Sequence, residues 1–287
     1  MKPPVVRSVA ALHKLLSSSR IGVGFVPTMG ALHEGHLSLV RRAQRENGRV
    51  VVSIFVNPTQ FGPGEDFSTY PRDLEADRGL LGSLDSLVVY APAVADVYPP
   101  GFSTTVKVGG PLGSVLEADW RPTHFEGVAT VVARLFALVR PQKAYFGLKD
   151  YQQYLVIKRM THDLGLPVAL VGCPIVRESD GLAMSSRNRR LDPASREKAL
   201  ALSRALAAVA ALAKEGERSP IRLRAEGLKV LTQVPGLTVQ YFELADAETL
   251  LPIRRLEKDA MALCACTLAG TRLIDNRTIK GKGPKHA

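Results

Sequence analysis

A strand, a glycine-containing turn and a helix follow one another between residues 21 and 43, and this stretch constrains the fold more than any other. The apolar run 21–26 predicts a buried strand, and the apolar spacing over 37–43 predicts a helix. The turn between them carries His33, Gly35 and His36. A helix that starts there would direct backbone N–H groups and its positive dipole end toward a bound anion. The pattern is typical of a phosphate site, in which imidazole donors would complement charge on a departing pyrophosphate.

The histidine pair also admits simpler interpretations. Two imidazoles at this spacing could be solvated, could bind zinc or could cap the helix. Zinc is disfavoured, because the His-Glu-x-x-His pattern needs its histidines four residues apart on a formed helix. Here the histidines are three residues apart and a glycine lies between them. From the local pattern alone, the phosphate site and the structural alternatives both stay open.

Further apolar runs alternate with helical patterns along the first part of the chain. The run 49–57 is continuous, which is typical of a parallel strand covered on both faces. Shorter strands are predicted at 86–92, 143–147 and 167–174, and helices at 7–16, 70–81, 128–139 and 151–164. Residues 93–120 show no clear periodicity. This alternation predicts an α/β fold with a Rossmann-like doubly wound parallel sheet.

Asn57 and Gln60 follow the second of these strands, in a loop that begins with a proline and contains glycines. Because ligands of open α/β sheets bind beyond the carboxyl ends of the strands, this loop is a candidate part of the site.

The pattern changes after Val176. A polar loop at 180–189 precedes Asp192 and Pro193, which are typical of the start of a long Ala/Leu helix. A helix at 221–231 and strands at 237–243, 260–268 and 271–276 follow. We therefore predict a first domain over 1–176 and a smaller α+β lid domain over 177–287.

Composition and charge favour an enzyme of anionic substrates over a nucleic-acid-binding protein. The 287 residues carry 38 Lys+Arg and 27 Asp+Glu, a net charge of +11 that suits an enzyme of anionic substrates as well as a nucleic-acid-binding protein. Dispersed charge and 6% aromatic residues argue against nucleic acid as a partner. The exception is a basic end at 280–286, a pattern typical of a disordered tail.

Location is predicted from what the sequence lacks. No apolar run reaches the length of a membrane span, and the N-terminal residues show no secretory signal. Cys173, Cys264 and Cys266 are too few and too poorly spaced for a disulfide framework, which suits a reducing cytoplasm, and buried thiols are expected at 264 and 266.

Several motifs, taken together and in this order, resemble the pantothenate synthetase family of the nucleotidylyltransferase superfamily. They cover nearly the whole chain: His33-x-Gly35-His36, Phe55-Val56-Asn57-Pro58-Thr59-Gln60-Phe61, Arg121-Pro122-Thr123-His124-Phe125-x-Gly127-Val128, Tyr145-Phe146-Gly147-x-Lys149-Asp150-x-Gln152-Gln153, Met184-Ser185-Ser186-Arg187 and Leu273-Ile274-Asp275-Asn276. The resemblance implies a ligase that condenses (R)-pantoate with β-alanine through pantoyl adenylate, releasing AMP and pyrophosphate from ATP. It also implies Mg²⁺ with ATP, although no acidic metal cage is visible in the sequence, and a cytoplasmic homodimer.

The resemblance also implies that the domain over 1–176 binds ATP and pantoate, and it assigns site residues. The ATP-binding residues would be Met29, Gly30, Ala31, Leu32, His33, Glu34, Gly35, His36, Gly147, Leu148, Lys149, Asp150, Val176, Met184, Ser185, Ser186 and Arg187. The catalytic residues would be His36 as proton donor, His33, Lys149 and Arg187. Gln60 and Gln153 would bind pantoate, and Gln60 would also lie near β-alanine. The alternative is another nucleotidylyltransferase with a phosphorylated acceptor, which these two glutamines argue against, because a phosphate would call for more Arg and Lys.

Two positions depart from the family's usual pattern. Thr59 stands where the family usually has Met, and Leu148 stands where it usually has Glu. Leu148 cannot make the hydrogen bonds of a Glu or carry its charge, so the local support of Lys149 differs. Neither departure removes a residue assigned to chemistry.

Overall fold

The computed structural model describes residues 2–17, 22–82, 84 and 86–281. By their contacts these residues form two compact units. The first comprises the described residues up to Leu148 together with Gln152–Pro174, and the second comprises Lys149–Tyr151 and the described residues from Ile175 onward. The functional domains 1–176 and 177–287 remain a prediction. The basic tail predicted at 280–286 lies, from residue 282 onward, outside the described residues.

The described part of the first unit contains one parallel sheet of six strands. The strands are β1 Val5–Val6, β2 Val23–Thr28, β3 Arg49–Ile54, β4 Leu87–Tyr90, β5 Lys143–Gly147 and β6 Ala169–Cys173. Their order is β1-β4-β3-β2-β5-β6, and every pairing is parallel. The chain moves outward from β2 through β3 to β4 and then returns to the other side of β2 with β5. This order confirms the Rossmann-like sheet and places its topological switch point between β2 and β5.

Helices cover both faces of this sheet. They are α1 Val9–Leu16, α2 Glu34–Glu46, α3 Leu74–Leu81, α4 Val94–Val97, α5 Glu117–Trp120, α6 His124–Val139 and α7 Tyr151–Asp163. Alternate residues of each strand enter different cores: Val51 packs with α1, α6 and α7, whereas Val50 and Val52 pack with α2 and α3. Two buried faces explain why β3 is a continuous apolar run instead of an alternating one.

Some boundaries differ from the predictions. Helix α3 begins at Leu74 instead of residue 70, because the Asp73 side chain caps it by accepting from the Ala76 N–H at 2.9 Å. Helix α6 begins at His124 instead of residue 128, and short helices α4 and α5 occupy parts of 93–120. Strand β3 ends at Ile54, three residues before the end of its apolar run.

The second unit contains three antiparallel strands with helices packed on them. The elements are α8 Pro193–Ala199, α9 Ala201–Lys214, α10 Pro220–Thr232, β7 Leu237–Asp246, β8 Ala260–Leu268 and β9 Thr271–Ile279. The strand order is β7-β8-β9. This confirms a smaller α+β part, but the single long helix predicted after Asp192 is wrong. The chain forms two helices there, with a break at Leu200 where its N–H bonds to the Glu197 carbonyl.

Cys173, Cys264 and Cys266 are free and buried, as expected for thiols in apolar strands. Burial raises the pKa of Cys266 to about 12. Among the described helices, none combines the length and the apolar character needed to cross a membrane.

Candidate active site

The turn that joins β2 to α2, here called the histidine turn (Met29 to His36), lies at the switch point of the sheet. Gly30 has φ +82° and Ala31 has φ +50°, so the chain passes through two successive left-handed residues. This conformation costs little at a glycine but is uncommon for alanine. The Thr28 hydroxyl accepts from the Gly30 N–H at 3.2 Å and donates to the Ser53 carbonyl of β3 at 2.7 Å. The start of the turn is thus fixed to the neighbouring strand.

Asp77 fixes the middle of the turn, although it belongs to none of the sequence motifs. Its carboxylate accepts from the Ala31 N–H at 3.0 Å and from the Leu32 N–H at 2.7 Å, and the residue is 3% exposed. These two N–H groups, which the sequence left available to an anion, are therefore engaged by the protein. Only a prediction of tertiary contacts could have found Asp77, because it is 45 residues from Leu32.

His33 caps helix α2, which begins at Glu34, near the predicted start. The Nδ1 atom of His33 accepts from the Gly35 N–H at 3.2 Å. Because Nδ1 acts as an acceptor, the hydrogen of the neutral ring is on Nε2. The ring of His36 lies beside it, with 4.1 Å between the centroids. The cap and the phosphate site are therefore compatible: one nitrogen caps the helix, and Nε2 is a hydrogen-bond donor.

Gln60 lies beside this turn. It ends a 3₁₀ helix, Pro58–Gln60, that Asn57 caps, and it is 8% exposed. Its Nε2 donates to the sulfur of Met29 at 3.0 Å, and its Oε1 accepts from the Asn57 amide at 3.1 Å. The structure thus brings together the residues that follow β2 and β3, as the shared sheet edge predicts.

Helix α6 supports the backbone of Gln60. His124 donates from Nδ1 to the Gln60 carbonyl at 3.0 Å, and burial lowers the pKa of His124 to about 4, so its ring is neutral. Arg121 forms an ion pair with Glu65. A Cβ atom on Gly127 would lie 2.3 Å from the Thr59 carbonyl oxygen, so only glycine permits this close approach of α6. The sequence motif contained these residues but gave them no role.

The two adjacent glutamines of α7 differ in their contacts. Gln152 is buried; its Oε1 accepts from the Glu117 N–H at 3.1 Å, and its Nε2 donates to the carbonyls of Leu112 and Val115. Gln153 is half-buried, and its side chain makes no hydrogen bond within the described part of the chain. Its amide is thus the one available to a ligand.

The segment that follows β5 contains Leu148, which stands where the family usually has Glu. A Cβ atom on Gly172 of β6 would lie 2.8 Å from a Leu148 methyl carbon, so Leu148 packs against that strand. The Leu148 side chain therefore makes an apolar contact with β6 at the position where the family usually has a Glu. Gly147 ends β5, at the same edge as the histidine turn.

Lys149 and Asp150 belong to the second unit by their contacts. The ion pair between them is long, 3.9 Å from Nζ to Oδ1, and the Lys149 side chain is 20% exposed. The Asn276 amide donates to the Lys149 carbonyl at 2.8 Å. Strand β9 thus holds the backbone of Lys149 without engaging its ammonium group.

Hydrogen bonds also hold the loop that contains Met184, Ser185, Ser186 and Arg187. The Met184 N–H donates to the Val176 carbonyl at 3.0 Å. The Ser185 hydroxyl caps the short helix Ser186–Arg190 by accepting from the Arg187 N–H at 3.3 Å. Asn188 donates to Glu178 at 2.8 Å and to the Ala183 carbonyl at 3.0 Å.

The base of this loop is fixed by ion pairs. Arg177 binds both oxygens of Asp275, at 2.7 and 3.0 Å, and also donates to the Gly181 carbonyl at 3.1 Å. Arg196 pairs with Glu178 and Asp180, each at 2.7 Å. Within the residues described, no group of three or more His, Cys, Asp or Glu side chains could hold a metal ion.

The fold and the histidine turn together define a class. A parallel sheet with this strand order, and a helix that starts with a histidine cap at its switch point, are the features of a nucleotide-binding α/β protein. The family model for pantoate-beta-alanine ligase matches residues 4–278. The chain belongs to the pantoate-beta-alanine ligase family.

Relatives and solved structures agree with this assignment. A pantothenate synthetase of Thermus thermophilus is 55% identical over 94% of this chain and 97% of its own length, and that of Roseiflexus castenholzii is 52% identical over 95% and 98%. A crystal structure of the Thermus thermophilus protein superposes with a TM-score of 0.93 at 52% identity, covering 96% of this chain and 99% of that one. The Francisella tularensis pantoate-beta-alanine ligase, complexed with beta-gamma ATP and beta-alanine, gives 0.79 at 33% identity, covering 96% and 97%.

Proposed function

We infer that this protein is a ligase that joins (R)-pantoate to β-alanine and converts ATP to AMP and pyrophosphate. The family membership supports the reaction. In this structure, the reaction is supported by the arrangement at the switch point. Two imidazoles lie at the start of α2, and the amide of Gln60 contacts Met29 of the same turn. A phosphate-binding element and a polar side chain suited to a hydroxy acid thus lie side by side.

The reaction has two steps. The pantoate carboxylate attacks the α-phosphorus of ATP, the bond to pyrophosphate breaks, and pantoyl adenylate forms. The amine of β-alanine then attacks the acyl carbon, loses a proton, and releases AMP. The nucleophiles are the substrates, so the protein contributes positioning and stabilisation of charge.

We propose that the histidine turn, Met29 to His36, binds ATP. His33 offers its Nε2–H to a phosphate oxygen because its Nδ1 is occupied by the helix cap. His36 acts as proton donor to the developing pyrophosphate charge. Since Asp77 engages the N–H groups of Ala31 and Leu32, the contacts of this turn with ATP come from its side chains and its remaining backbone.

Gln60 and Gln153 bind pantoate in this proposal, and Gln60 also contacts β-alanine. Gln60 is supported by its position beside Met29, and Gln153 by the fact that its neighbour Gln152 is engaged in the fold. Amide groups can hydrogen-bond both the hydroxyl and carboxylate groups of pantoate.

The ATP-binding assignments in the second unit rest on resemblance. Lys149 would act as a point charge on phosphate, and its held backbone and mostly buried stem support that role. Val176 would contact adenine through its backbone. Ser185, Ser186 and Arg187 would bind phosphate. Gly147, Leu148, Asp150 and Met184 would complete the nucleotide contacts.

Mg²⁺, a homodimer and a cytoplasmic location are part of the proposal. The described residues offer no acidic cluster for a resident metal. We propose that Mg²⁺ arrives with the phosphates of ATP, whose charge it neutralises.

Isotope exchange tests the proposed function. With pantoate, Mg²⁺ and ATP, the protein is expected to exchange labelled pyrophosphate into ATP without β-alanine, because the first step is reversible before the amine enters. A nucleotidylyltransferase with another acceptor would show no pantoate-dependent exchange. Exchange that is absent with pantoate, or that requires β-alanine, would overturn the two-step assignment.

The His36→Ala variant tests the role of the turn. Loss of one preorganised donor is expected to lower kcat on the order of a hundredfold, with the fold intact by circular dichroism. His162→Ala is the matched control, because His162 lies at the exposed end of α7 with its side chain 83% exposed. A near-normal kcat for His36→Ala at saturating ATP would refute the assignment.

A further inference from the structure

The Asn57 side chain is buried and all its hydrogen-bonding capacity is used. It is 1% exposed. Its Oδ1 accepts from the Tyr98 hydroxyl at 2.8 Å, from the Thr59 hydroxyl at 3.0 Å and from the Thr59 N–H at 3.4 Å. Its Nδ2 donates to the Gln60 Oε1 and to the Gly127 carbonyl, each at 3.1 Å.

These contacts determine which way the Asn57 amide points. The Thr59 N–H can only donate and the Gly127 carbonyl can only accept. A flipped amide would therefore place donor against donor at one end and acceptor against acceptor at the other. The orientation follows from the partners.

The orientation of Asn57 determines that of Gln60. Because Asn57 donates to the Gln60 Oε1, the oxygen of Gln60 faces into the protein. Its Nε2 faces the other way, toward the sulfur of Met29. Gln60 thus presents an N–H donor at the end of β3, and a ligand there must offer an acceptor, such as a carboxylate or hydroxyl oxygen.

We propose that the hydroxyls of Thr59 and Tyr98 are positioning groups that fix Asn57 and, through it, present the N–H end of Gln60 to an acceptor on pantoate. The proposal rests on the proposed function, which assigns Gln60 to pantoate. The backbone bond to Asn57 is the longest of the three, so the two hydroxyls supply its short hydrogen bonds.

Tyr98 is suited to this role by its surroundings. Its ring packs against Phe102 and Phe55, with centroid distances of 5.1 and 6.3 Å. Burial raises the pKa of Tyr98, so its hydroxyl keeps its proton and remains a donor. Thr59 is exposed, so water can partly replace its hydroxyl, and its removal has the smaller effect.

The first test removes each hydroxyl while keeping the side-chain shape. In pantoate-dependent pyrophosphate exchange, Tyr98→Phe is expected to raise the KM for pantoate roughly threefold to tenfold, and Thr59→Val less, with the KM for ATP unchanged. The double variant should exceed the product of the two single effects, because it leaves Oδ1 only its long bond. Thr59→Ser should restore the pantoate KM.

The control is Thr104→Val, since Thr104 is an exposed threonine without a hydrogen bond in the described part of the chain. A pantoate KM within about twofold of wild type in both Tyr98→Phe and the double variant would overturn the proposal. Equal changes in the ATP and pantoate KM values would overturn it too, as the mark of general destabilisation. Failure of the proposed function is distinct: the wild-type protein itself would show no exchange.

The second test concerns polarity. Gln60→Glu keeps an acceptor toward Asn57 but places a carboxylate oxygen where the N–H was. It should bind pantoate no better than Gln60→Ala, because two acceptors would then face each other. If Gln60→Glu retains a near-normal pantoate KM, Gln60 does not act through its N–H end and the proposal is wrong.

Discussion

Two buried carboxylates hold two segments of this protein by different means. Asp77 and Asp275 are each 3% exposed. Asp77 accepts directly from two backbone N–H groups of the histidine turn, whereas Asp275 acts through the guanidinium of Arg177, which in turn holds the Gly181 carbonyl. Asp77 thus holds the backbone directly, whereas Asp275 holds it through the Arg177 side chain.

The difference lies in what can compete for each contact. The hydrogen bonds to Asp77 are buried and their donors are part of the backbone, so neither water nor salt replaces them readily. The Arg177 side chain is 31% exposed, so solvent and ions compete with the ion pair. The turn therefore has a fixed geometry, which its proposed role in charge stabilisation requires. The contacts of the 177–190 segment can be replaced by water and ions, so we expect this segment to open more readily than the turn.

The largest effect is expected from Asp77→Ala. This change leaves two buried N–H groups without an acceptor, which should lower the free energy of unfolding by about 2–4 kcal/mol. The ATP KM should rise as well, because the turn loses its shape. Asp77→Asn retains one acceptor oxygen and should lose about half as much. Urea unfolding followed by fluorescence measures the loss in both variants. If Asp77→Ala is as stable as wild type, Asp77 does not fix the turn in the way described.

A smaller effect is expected from the ion pair of the second unit. Asp275→Asn keeps one acceptor for Arg177 and removes the charge, so the loss should be about 1–2 kcal/mol. Arg177→Lys, the matched variant, keeps the charge but loses the two-pronged contact. Hydrogen exchange should show faster opening at 177–183 in both variants and leave 28–37 unchanged. Faster exchange in the histidine turn would show that the two segments are not held independently.

The smallest effect is expected at Asp180, whose pKa is lowered by the hydrogen bond from the Leu182 N–H and further by Arg196. A lowered folded-state pKa means that the stabilisation is complete above the ordinary value of 3.8 and is lost as the pH falls through the folded-state value. Asp180→Asn should therefore cost less than about 1 kcal/mol of local stability at neutral pH.

That cost should disappear below the folded-state pKa of Asp180. Exchange rates at 180–184, compared between wild type and Asp180→Asn from neutral pH down to the lowest pH at which the protein stays folded, measure it. A difference that persists unchanged to the lowest pH would contradict the ion-pair account of this segment.

The element order and the sheet were predictable because their signals are local. Alternation of apolar runs with helical spacing identified the six-stranded fold except for β1, which has only two residues. The start of α2 followed from turn chemistry. The long helix after Asp192 was wrong because its Ala/Leu pattern continues through Leu200, and nothing in that pattern marks a break.

The motifs named side chains but not how they are held. The motifs indicate that Gln60 and His33 belong to the site, but they do not indicate which end of the Gln60 amide faces a ligand or which tautomer the cap imposes on His33. The amide orientation and the tautomer each depend on a hydrogen-bond partner, which a sequence motif does not identify. The site assignments themselves remain predictions.

The sequence by itself determined the periodicities, the helix start after Asp192 and the order of the strands along the chain, because these depend on residues within a few positions of one another. Only the tertiary structure decided that Asp77 occupies the N–H groups of the turn, that Asp275 binds Arg177, and that Tyr98 and Asn57 orient Gln60. Those pairs are 45, 98 and 41 residues apart. Each is a contact between polar groups that burial forces to find partners, and the chain path alone decides which partner is within reach.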